Sequence, residues 1–278
     1  MISRRSFLGS LGAVAGIGAG VGYYTFEIEP GWLEVVRRPL QIQRLPSTLA
    51  GRTLAHLSDI HAGPLVSDEY LLETFRRVSN LRPDIVVITG DLMSLHKGWL
   101  NHVAAIYQQV PRGRIATIAT LGNHDYGPIW EDARIAGRLV DVLRACGITV
   151  LRNQVCDAGG LQIVGLDDLW AGRFNPQQAL REVDVNRAVL ALSHNPDTVD
   201  LPAWNDYEGW ILAGHTHGGQ CKPPFLPPPV LPVRNKRYTA GEFQLTGNRR
   251  LYISRGVGHA MPVRFNVRPE VTIFELSA

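Results

Sequence analysis

Five short polar motifs in this chain contain the residue types that bind hard or borderline metal ions. Each motif follows a run of apolar residues, so each stands where a buried element would end. The motifs are Asp59-X-His61, Gly90-Asp91, Gly122-Asn123-His124-Asp125, Ser193-His194-Asn195-Pro196 and Gly214-His215-X-His217. Together they point to metal-dependent chemistry at the ends of several buried elements.

The number of candidate ligands indicates two ions rather than one. Aspartate, asparagine and histidine supply oxygen and nitrogen ligands, which suit Mn, Fe, Zn or Mg better than soft metals. Seven ligands are too many for one ion with an open position, but they fit two ions that share a carboxylate. Two such ions can activate a bridging water and hold both oxygens of an in-line displacement at phosphorus. The candidates are Asp59, His61, Asp91, Asn123, His194, His215 and His217.

Each motif taken alone has an ordinary structural explanation. A single aspartate at a strand end is usually a helix cap or a turn former, and Asn123 could be only a turn residue. His217, two residues after His215, could belong to a strand with two polar faces. These explanations require five independent coincidences in one order, so we favour the metal site. We exclude four solitary histidines as ordinary surface or core residues: His56, His96, His102 and His259.

The elements that must position these motifs alternate between strands and helices after Gly51. Thr53 to Ser58 is predicted as a strand, and Asp68 to Asn80 as an amphipathic helix capped by Ser67. The continuous Ile/Val run in Asp84 to Thr89 is typical of a strand buried on both faces. Further helices are predicted at about Leu100 to Val110 and Trp130 to Cys146. Further strands are predicted at Arg114 to Leu121, Ile148 to Leu151, Leu161 to Leu166, Ala188 to Leu192, Trp210 to Ala213, Leu251 to Ser254 and Val271 to Leu276.

This alternation predicts an α/β domain, and the strand-rich final third predicts a second sheet packed on the first. In open α/β sheets, ligands bind at the carboxyl ends of strands, where the loops converge on a rigid support. The five motifs all follow predicted strands, so we expect them to meet at one edge.

In this order, the motifs resemble those of the calcineurin-like metallophosphoesterases. Any one motif is weak evidence, whereas all five in order are specific. Two further segments resemble the bacterial YaeI-type phosphodiesterases: Gly214-His215-Thr216-His217-Gly218-Gly219-Gln220 and Arg255-Gly256-Val257-Gly258. The similarity extends through most of the chain, including Glu29-Pro30-Gly31-Trp32.

The resemblance implies a role for each residue. His124 would lie beside the metals and contact or protonate the ester. Asp125, where the family often has glutamate, would orient His124 through a hydrogen bond. The first ion would be held by Asp59, His61, Asp91 and His217. The second would be held by Asp91, Asn123, His194 and His215, so that Asp91 bridges the two.

The resemblance also implies a fold and a reaction. The fold would be a two-sheet β-sandwich flanked by helices, with α/β/β/α layers. A metal-bridging hydroxide would attack phosphorus in line while His124 assists the leaving group. Phosphodiesters are favoured over monoesters, and two divalent ions are expected, Mn²⁺ first, with Fe, Zn or Mg as alternatives.

Two other functions stay open. One is hydrolysis of the pyrophosphate of a nucleotide-lipid of the UDP-diacylglucosamine type, which an export signal disfavours because such lipids are handled on the cytoplasmic side. The other is a metal-stabilised binding module without catalysis, in which a metal ligand is typically lost. Here every ligand position is filled.

Composition and cysteine usage exclude some of the possible functions and partners. The chain of 278 residues is 45% apolar and 19% charged, which is ordinary for a folded soluble protein. The net charge of +3 is small and no basic stripe occurs, so we predict no nucleic-acid partner. Cys146, Cys156 and Cys221 match no zinc spacing. Cys146 and Cys156 could bridge, but free or buried thiols are favoured.

The N-terminus has the pattern of an export signal. Arg4 and Arg5 precede an apolar, glycine-rich run from Leu8 to Tyr24, with no charge until Glu27. Paired arginines followed by Phe-Leu resemble the twin-arginine signal, so the export machinery is a predicted partner. The run is borderline in length for a permanent anchor, and whether it is cleaved stays open. A buried helix is disfavoured by the glycines.

These observations divide the chain into three parts. We predict a twin-arginine signal or anchor at residues 1–25, a linker or N-terminal arm at 26–50, and a calcineurin-like phosphoesterase domain at 51–278. The mature protein is expected in the periplasm or on the outer face of the cytoplasmic membrane.

Three weaker features complete the sequence interpretation. The proline-rich segment Lys222 to Pro229 could flank the substrate or touch a membrane surface, although a structural loop is favoured. Trp170 could line the cleft, although core packing is favoured. Arg255 is the best phosphate-binding candidate in a set of five cations, Arg234, Lys236, Arg237, Arg255 and Arg264.

Replacing both Arg4 and Arg5 by lysine is expected to hold a reporter fusion inside the cell, because the export machinery reads the arginine pair. Cell fractionation of the fusion measures this, with the unmodified signal as control. Unchanged export of the lysine variant would contradict the twin-arginine assignment.

Overall fold

Two six-stranded sheets packed face to face form the body of the protein. We describe the fold from a computed structural model, which describes residues 15–94 and 100–278. In the first sheet the strand order is β1-β12-β2-β3-β4-β5, and in the second it is β10-β11-β9-β8-β7-β6. This architecture is the predicted two-sheet sandwich flanked by helices.

The first sheet is mainly parallel. Strands β2 to β5 run parallel, β12 runs antiparallel to β2, and β1 is parallel to β12 at the edge. Its strands are β1 (Glu34–Gln41), β2 (Thr53–Leu57), β3 (Ile85–Thr89), β4 (Ala116–Thr120), β5 (Thr149–Val150) and β12 (Glu270–Ser277).

The second sheet has a parallel centre, β7, β8, β9 and β11, with antiparallel strands β6 and β10 at its two edges. Its strands are β6 (Gln154–Ala158), β7 (Leu161–Gly165), β8 (Val189–Leu192), β9 (Gly209–Ala213), β10 (Gly241–Gln244) and β11 (Arg249–Ile253). Both sheets therefore have a block of parallel strands whose carboxyl ends can carry a site.

The side-chain alternation of β3 explains its continuous apolar run. Ile85 and Val87 face the second sheet and join Leu190 and Leu212 in the core between the sheets. Val86 and Ile88 point the other way and pack under the helices of the first sheet. A third apolar cluster covers the outer face of the second sheet. A strand buried on both faces has no polar positions, so the polar residues of this segment begin only after it ends.

The helices cover the outside of the first sheet and one part of the second. The predicted cap of the Asp68 helix is present, because the Ser67 hydroxyl accepts a hydrogen bond from the Tyr70 amide. The helix predicted from Trp130 begins later, at Ala133, because the Asp132 side chain caps it. The helices are α1 (described over residues 15–23), α2 (Asp68–Asn80), α3 (Leu100–Tyr107), α4 (Ala133–Ala145) and α5 (Pro176–Leu180).

The segment predicted as a linker or N-terminal arm contains a strand of the first sheet. Helix α1 continues into a short π-helical turn, Tyr24–Ile28, and β1 then pairs with β12 along its whole length. Within residues 15–94 and 100–278, no helix is long and apolar enough to cross a membrane. Arg4 and Arg5, and with them most of the predicted signal, lie outside the described residues.

Candidate metal centre

The five polar motifs meet where the parallel strands of both sheets end. The motifs of β2, β3 and β4 come from the first sheet, and those of β8 and β9 come from the second. A direct bond joins the two sheets here, because the Asp59 carboxylate accepts the backbone N–H of His215 at 3.0 and 3.1 Å. In the second sheet, the Gly214 amide donates to the His194 carbonyl. The predicted convergence of the loops is therefore present.

A first group of buried side chains consists of Asp59, His61, Asp91 and His217. One ligand atom from each lies within 4.8 Å of all the others. His217 Nε2 is 3.3 Å from Asp59 Oδ1 and 3.2 Å from His61 Nε2. His61 Nε2 is in turn 3.6 Å from Asp91 Oδ2. The structure thus brings together all four residues predicted for the first ion.

A second buried group shares Asp91 with the first. His194 Nε2 lies 3.2 Å from Asp91 Oδ2 and 3.2 Å from His215 Nδ1. Asn123 is buried in the loop after β4, and its side-chain oxygen has no hydrogen-bond partner. Asn123 is one of the residues that line the same cleft as Asp91 and His215. The residues predicted for the second ion therefore also gather around Asp91.

The donor atoms of the two groups suit cations. Burial lowers the pKa of both His61 and His215 to about 3, so near pH 7 these rings are neutral and can offer a lone pair. Burial also acts against the charged form of His194, but the carboxylates of Asp91, Asp59 and Asp168 together outweigh it and raise the pKa of His194 well above its usual range. The site thus attracts positive charge, which divalent ions would supply.

Outer hydrogen bonds fix two imidazole rings so that a nitrogen faces the centre. His61 Nδ1 lies 2.8 Å from the Ser94 hydroxyl, and His194 Nδ1 lies 2.8 Å from the Thr89 carbonyl. Because a carbonyl can only accept, His194 Nδ1 carries its proton and leaves Nε2 directed at Asp91. This arrangement is the usual support of a metal-binding histidine. Sequence reasoning did not single out Ser94 or Thr89.

The backbone of the site is strained where the ligands are placed. Five of the seven candidate ligands have a left-handed conformation, with φ between 49° and 71°. Non-glycine residues adopt this region rarely, and such strain accumulates at functional sites where the surrounding structure enforces it. The five are Asp59, His61, Asp91, His215 and His217.

Two motif glycines allow the loops to approach this closely. A Cβ atom at Gly122 would collide with the Asp91 carboxylate, and one at Gly214 would collide with the side chains of Ser58 and Asp59. The glycines are therefore part of the site rather than simple turn residues.

Asp125 does not hydrogen bond to His124, contrary to the sequence expectation. Its Oδ1 accepts the N–H groups of Leu92 and Met93, and its Oδ2 accepts that of Gly122. The buried carboxylate therefore ties the loop after β3 to the loop after β4. Both carboxylate oxygens are thus engaged by backbone amides. The role expected for Asp125 in orienting His124 is wrong in this respect.

His124 lies on the wall of a cleft above the ligand groups. Its backbone N–H donates to Asp91 Oδ1 at 2.9 Å, and its ring packs edge-on to His61 at 5.0 Å between ring centroids. The cleft has a volume of about 210 Å³. His124 is therefore placed beside the ligands with its ring towards the space that a substrate would occupy.

The other walls of the cleft are aromatic and aliphatic. Trp170, which was expected in the core, is half-buried and lies 4.4 Å from His215 between ring centroids. It stacks on Trp130 at 5.1 Å, and Trp130 packs against His124. No sequence signal identified Trp130, because the predicted helix placed it in a regular element. The remaining apolar lining comes from Val230, Pro232, Ala260 and Met261.

Arg255 is not available for phosphate, contrary to the sequence expectation. Its guanidinium pairs with Glu270 at 2.5 Å and with Glu34 at 2.9 Å, so it joins β12 to β1. Arg264 is fully buried and donates to the backbone carbonyls of neighbouring loop residues. Both arginines support the loops around the site and neither lines the cleft.

The excluded histidines in the described residues lie outside the ligand groups, and His96 is not among those residues. His56 bonds the Thr89 hydroxyl, and His102 pairs with Asp68. His259 bonds the Leu65 carbonyl. Cys146, Cys156 and Cys221 are free thiols.

Comparison with known families identifies the arrangement. Residues 52–219 match the family described as Calcineurin-like phosphoesterase, which covers more than half of the chain. The chain belongs to this family. It is therefore a metal-dependent phosphoester hydrolase, and the buried Asp and His groups are its candidate metal-binding cluster.

Relatives of this phosphoesterase match it over nearly its full length. Phosphodiesterase YaeI of Escherichia coli is 35% identical over 99% of this chain and 100% of its own. The uncharacterized metallophosphoesterase YkuE of Bacillus subtilis is 31% identical over 100% and 98%. UDP-2,3-diacylglucosamine pyrophosphatase LpxG of Chlamydia trachomatis is 26% identical over 88% and 90%.

Among solved structures, a match is found to a dimetal phosphatase from Danio rerio. It matches 77% of this phosphoesterase and 90% of its own chain, with a TM-score of 0.37 and 12% sequence identity.

Asp91→Ala is expected to abolish the phosphoesterase activity and to lower the metal content. Each ligand group loses its shared carboxylate, and the mutual repulsion of two ions would be unscreened. Elemental analysis of the purified variant, together with an activity assay, measures both effects. An active variant that holds two ions tightly would contradict the shared role of Asp91.

Asp84→Ala is the matched control, because Asp84 is a buried aspartate just before the same strand. It accepts the Thr53 amide at 2.9 Å and pairs with Arg114 at 2.7 Å, away from the metal groups. This variant is expected to lose stability while each folded molecule keeps its metal.

Proposed function

We propose that this protein hydrolyses phosphodiesters with two divalent metal ions. The observation that carries the proposal is the shared position of Asp91, whose carboxylate lies within reach of both buried ligand groups. A single ion would leave one group without a partner, and buried unpaired polar groups are costly. When bound, two ions would supply an activated water and neutralise charge on the phosphoryl oxygens.

The division of the ligands follows the two groups. We propose that one ion is held by Asp59, His61, Asp91 and His217, and the other by Asp91, Asn123, His194 and His215. Carboxylate, amide and imidazole donors without thiolate suit Mn²⁺, Fe, Zn²⁺ or Mg²⁺, and we propose Mn²⁺ as the activator.

His124 is proposed as the group that acts on the leaving oxygen. It neighbours the ligand Asn123, but its ring lines the cleft and its backbone N–H, rather than its ring, bonds Asp91. A ring in this position can hold a proton next to the departing oxygen while the ligands stay in place. Trp130 packs against the ring and restricts its orientation.

The cleft favours a diester over a monoester. In the described part of the chain, the cleft lining contains no lysine or arginine, so no side-chain cation meets the second charge of a monoester. A diester carries one charge and a second organic substituent, which suits the apolar wall of Trp130 and Trp170. The relative YaeI, which matches nearly the whole chain, is itself named a phosphodiesterase.

A nucleotide-lipid pyrophosphatase is the second candidate. The same apolar wall could accept a lipid group, and the chlamydial relative LpxG is named a UDP-2,3-diacylglucosamine pyrophosphatase. A binding module without catalysis is less favoured, because the groups around Asp91 contain every expected ligand and His124 faces the cleft.

We also propose that the protein is exported by the twin-arginine route and acts in the periplasm or on the outer face of the cytoplasmic membrane. The support is the sequence of residues 1–25, where the arginine pair precedes a weakly apolar run.

An activity screen of the purified, Mn²⁺-loaded protein tests the reaction. We expect faster hydrolysis of bis-p-nitrophenyl phosphate than of p-nitrophenyl phosphate, because only the monoester brings a second charge into a cleft without side-chain cations. The metal-free protein is the control. Preferred hydrolysis of UDP-diacylglucosamine would favour the pyrophosphatase, and no hydrolysis of any substrate would favour the binding module.

His124→Ala is expected to keep both metals and to lose activity. General acid catalysis is typically worth about 10²–10⁴-fold, so a loss of that order is expected with a diester whose leaving group is a poor alkoxide. The loss should shrink for nitrophenolate, which leaves readily as an anion. Steady-state rates on both diesters and elemental analysis measure this.

His102→Ala is the control for this variant, since His102 pairs with Asp68 on the helical face, and it should keep both activity and metal. An equal loss on both diesters would mean that His124 binds the phosphoryl group instead. Loss of metal would mean that it is a ligand.

A further inference from the structure

Four exposed apolar side chains belong to the two segments that contribute Val230 and Met261 to the cleft, and we name them the apolar rim: Phe225, Leu226, Val230 and Met261. Phe225 is fully exposed, and the other three are between 54% and 64% exposed. Val230 and Met261 also line the cleft itself. The apolar wall of the cleft therefore continues outward onto the protein surface.

The loop that carries Phe225 and Leu226 is held in place at its base. It begins at Lys222, whose N–H donates to the Phe265 carbonyl at 2.9 Å, and it turns where Leu226 N–H meets the Pro223 carbonyl. Prolines before and after the two side chains restrict the backbone. Such a loop presents the rim at low entropic cost, which a merely flexible loop would not do.

The N-terminal apolar segment ends against Phe265, the residue that also holds the base of this loop. The Tyr24 ring packs edge-on to Phe265 at 6.5 Å between centroids, and the Thr25 carbonyl accepts the Arg264 amide at 3.0 Å. In the sequence, no charged residue occurs between Leu8 and Tyr24. An uncharged, apolar stretch of chain is thus tied to the base of the rim through Phe265.

The two segments that build the rim and its base, 220–241 and 254–269, contain lysines and arginines but no aspartate or glutamate. Glu29, an acidic residue bonded to them at the base, is buried and accepts the Asn266 and Val267 amides. Lys222 is exposed at the start of the loop. Arg268 stacks on the half-exposed Trp32, with its guanidinium carbon 4.2 Å from the ring centroid. Tryptophan and basic residues around an apolar surface are typical of contact with anionic membranes.

We propose that the apolar rim docks on a lipid bilayer, so that the metal cleft faces phosphodiester headgroups at the membrane surface. The bilayer is the occupant because the end of an apolar N-terminal stretch, the exposed basic residue Lys222 and a cleft with apolar walls are all connected to this loop. The substrate is then an amphiphilic phosphodiester. This second part rests on the proposed phosphodiesterase function, whereas docking itself does not.

An environment-sensitive fluorophore at position 225 tests the docking. Phe225→Cys is labelled with acrylodan in the full chain with Cys146, Cys156 and Cys221 replaced by serine, and vesicles of phosphatidylcholine with phosphatidylglycerol are added. A blue shift of the emission is expected as the label enters the apolar layer. The matched control is Val185→Cys, because Val185 is 72% exposed but precedes β8, at the strand end opposite the site.

The comparison of the two labels decides the docking proposal. A shift at position 225 with none at position 185 supports it. No shift at 225, or equal shifts at both positions, overturns it. A shift that follows protein concentration without lipid would assign the rim to a second copy of the chain and would also overturn it.

A kinetic comparison tests the substrate class with matched leaving groups. The Phe225→Ser/Leu226→Ser variant should hydrolyse vesicle-embedded phosphatidyl-p-nitrophenol on the order of tenfold more slowly, because two apolar side chains no longer enter the membrane. Its rate on soluble bis-p-nitrophenyl phosphate should be unchanged, since neither residue lines the cleft. Val185→Ser should leave both rates unchanged.

The outcomes separate this inference from the proposed function. If the double variant hydrolyses the vesicle lipid at the same rate as the unmodified protein, the inference is overturned. The proposed phosphodiesterase function is then unaffected. If the unmodified, metal-loaded protein hydrolyses neither diester, the proposed function fails, while the label at position 225 still decides the docking.

Discussion

The position of the Asp91 carboxylate is the constraint on which the site depends. It is buried, it accepts a hydrogen bond from the His124 amide, and its Oδ2 lies close to the rings of both His61 and His194. A buried carboxylate surrounded by imidazoles is costly unless a positive charge compensates it. The loops after β3, β4 and β8 must therefore hold their places around it. The need to compensate the buried charge of Asp91 thus links metal binding to the local fold.

The strands provide the rigidity that this requirement needs. The left-handed backbone at Asp59, Asp91 and His215 is unfavourable for each residue, and it persists only where the surroundings enforce it. The parallel strands before these residues are buried on both faces, and their apolar side chains fill the layers on either side. Asp125 adds a direct link between two of the loops. The apolar packing of the strands thus offsets the backbone strain at the ligand residues.

The cleft combines two environments in a small volume. Its floor contains carboxylates and imidazoles, whereas its walls are Trp130, Trp170 and aliphatic side chains. Charge on the substrate would be met by ions in the floor rather than by side-chain cations in the walls. Selectivity must then come from the organic part of the ester and from its access to the cleft. If the apolar rim docks on a bilayer as proposed, access at the membrane becomes part of the selectivity.

The sequence alone predicted most of the elements and the candidate ligand set, because both depend on local patterns, whereas β6, β10 and α5 were not predicted. Apolar runs predicted β2, β3, β8 and β9, and the polar residues directly after them are those that converge. Only the tertiary structure decided the roles of Asp125, Trp170 and Arg255, because long-range contacts set them. Asp125 accepts hydrogen bonds from backbone amides of another loop. Trp170 packs against His215 at the cleft rather than in the core. Arg255 pairs with Glu34, which is 221 residues away in the chain. A residue's type limits which partners it can take, but only packing determines which partners come within reach.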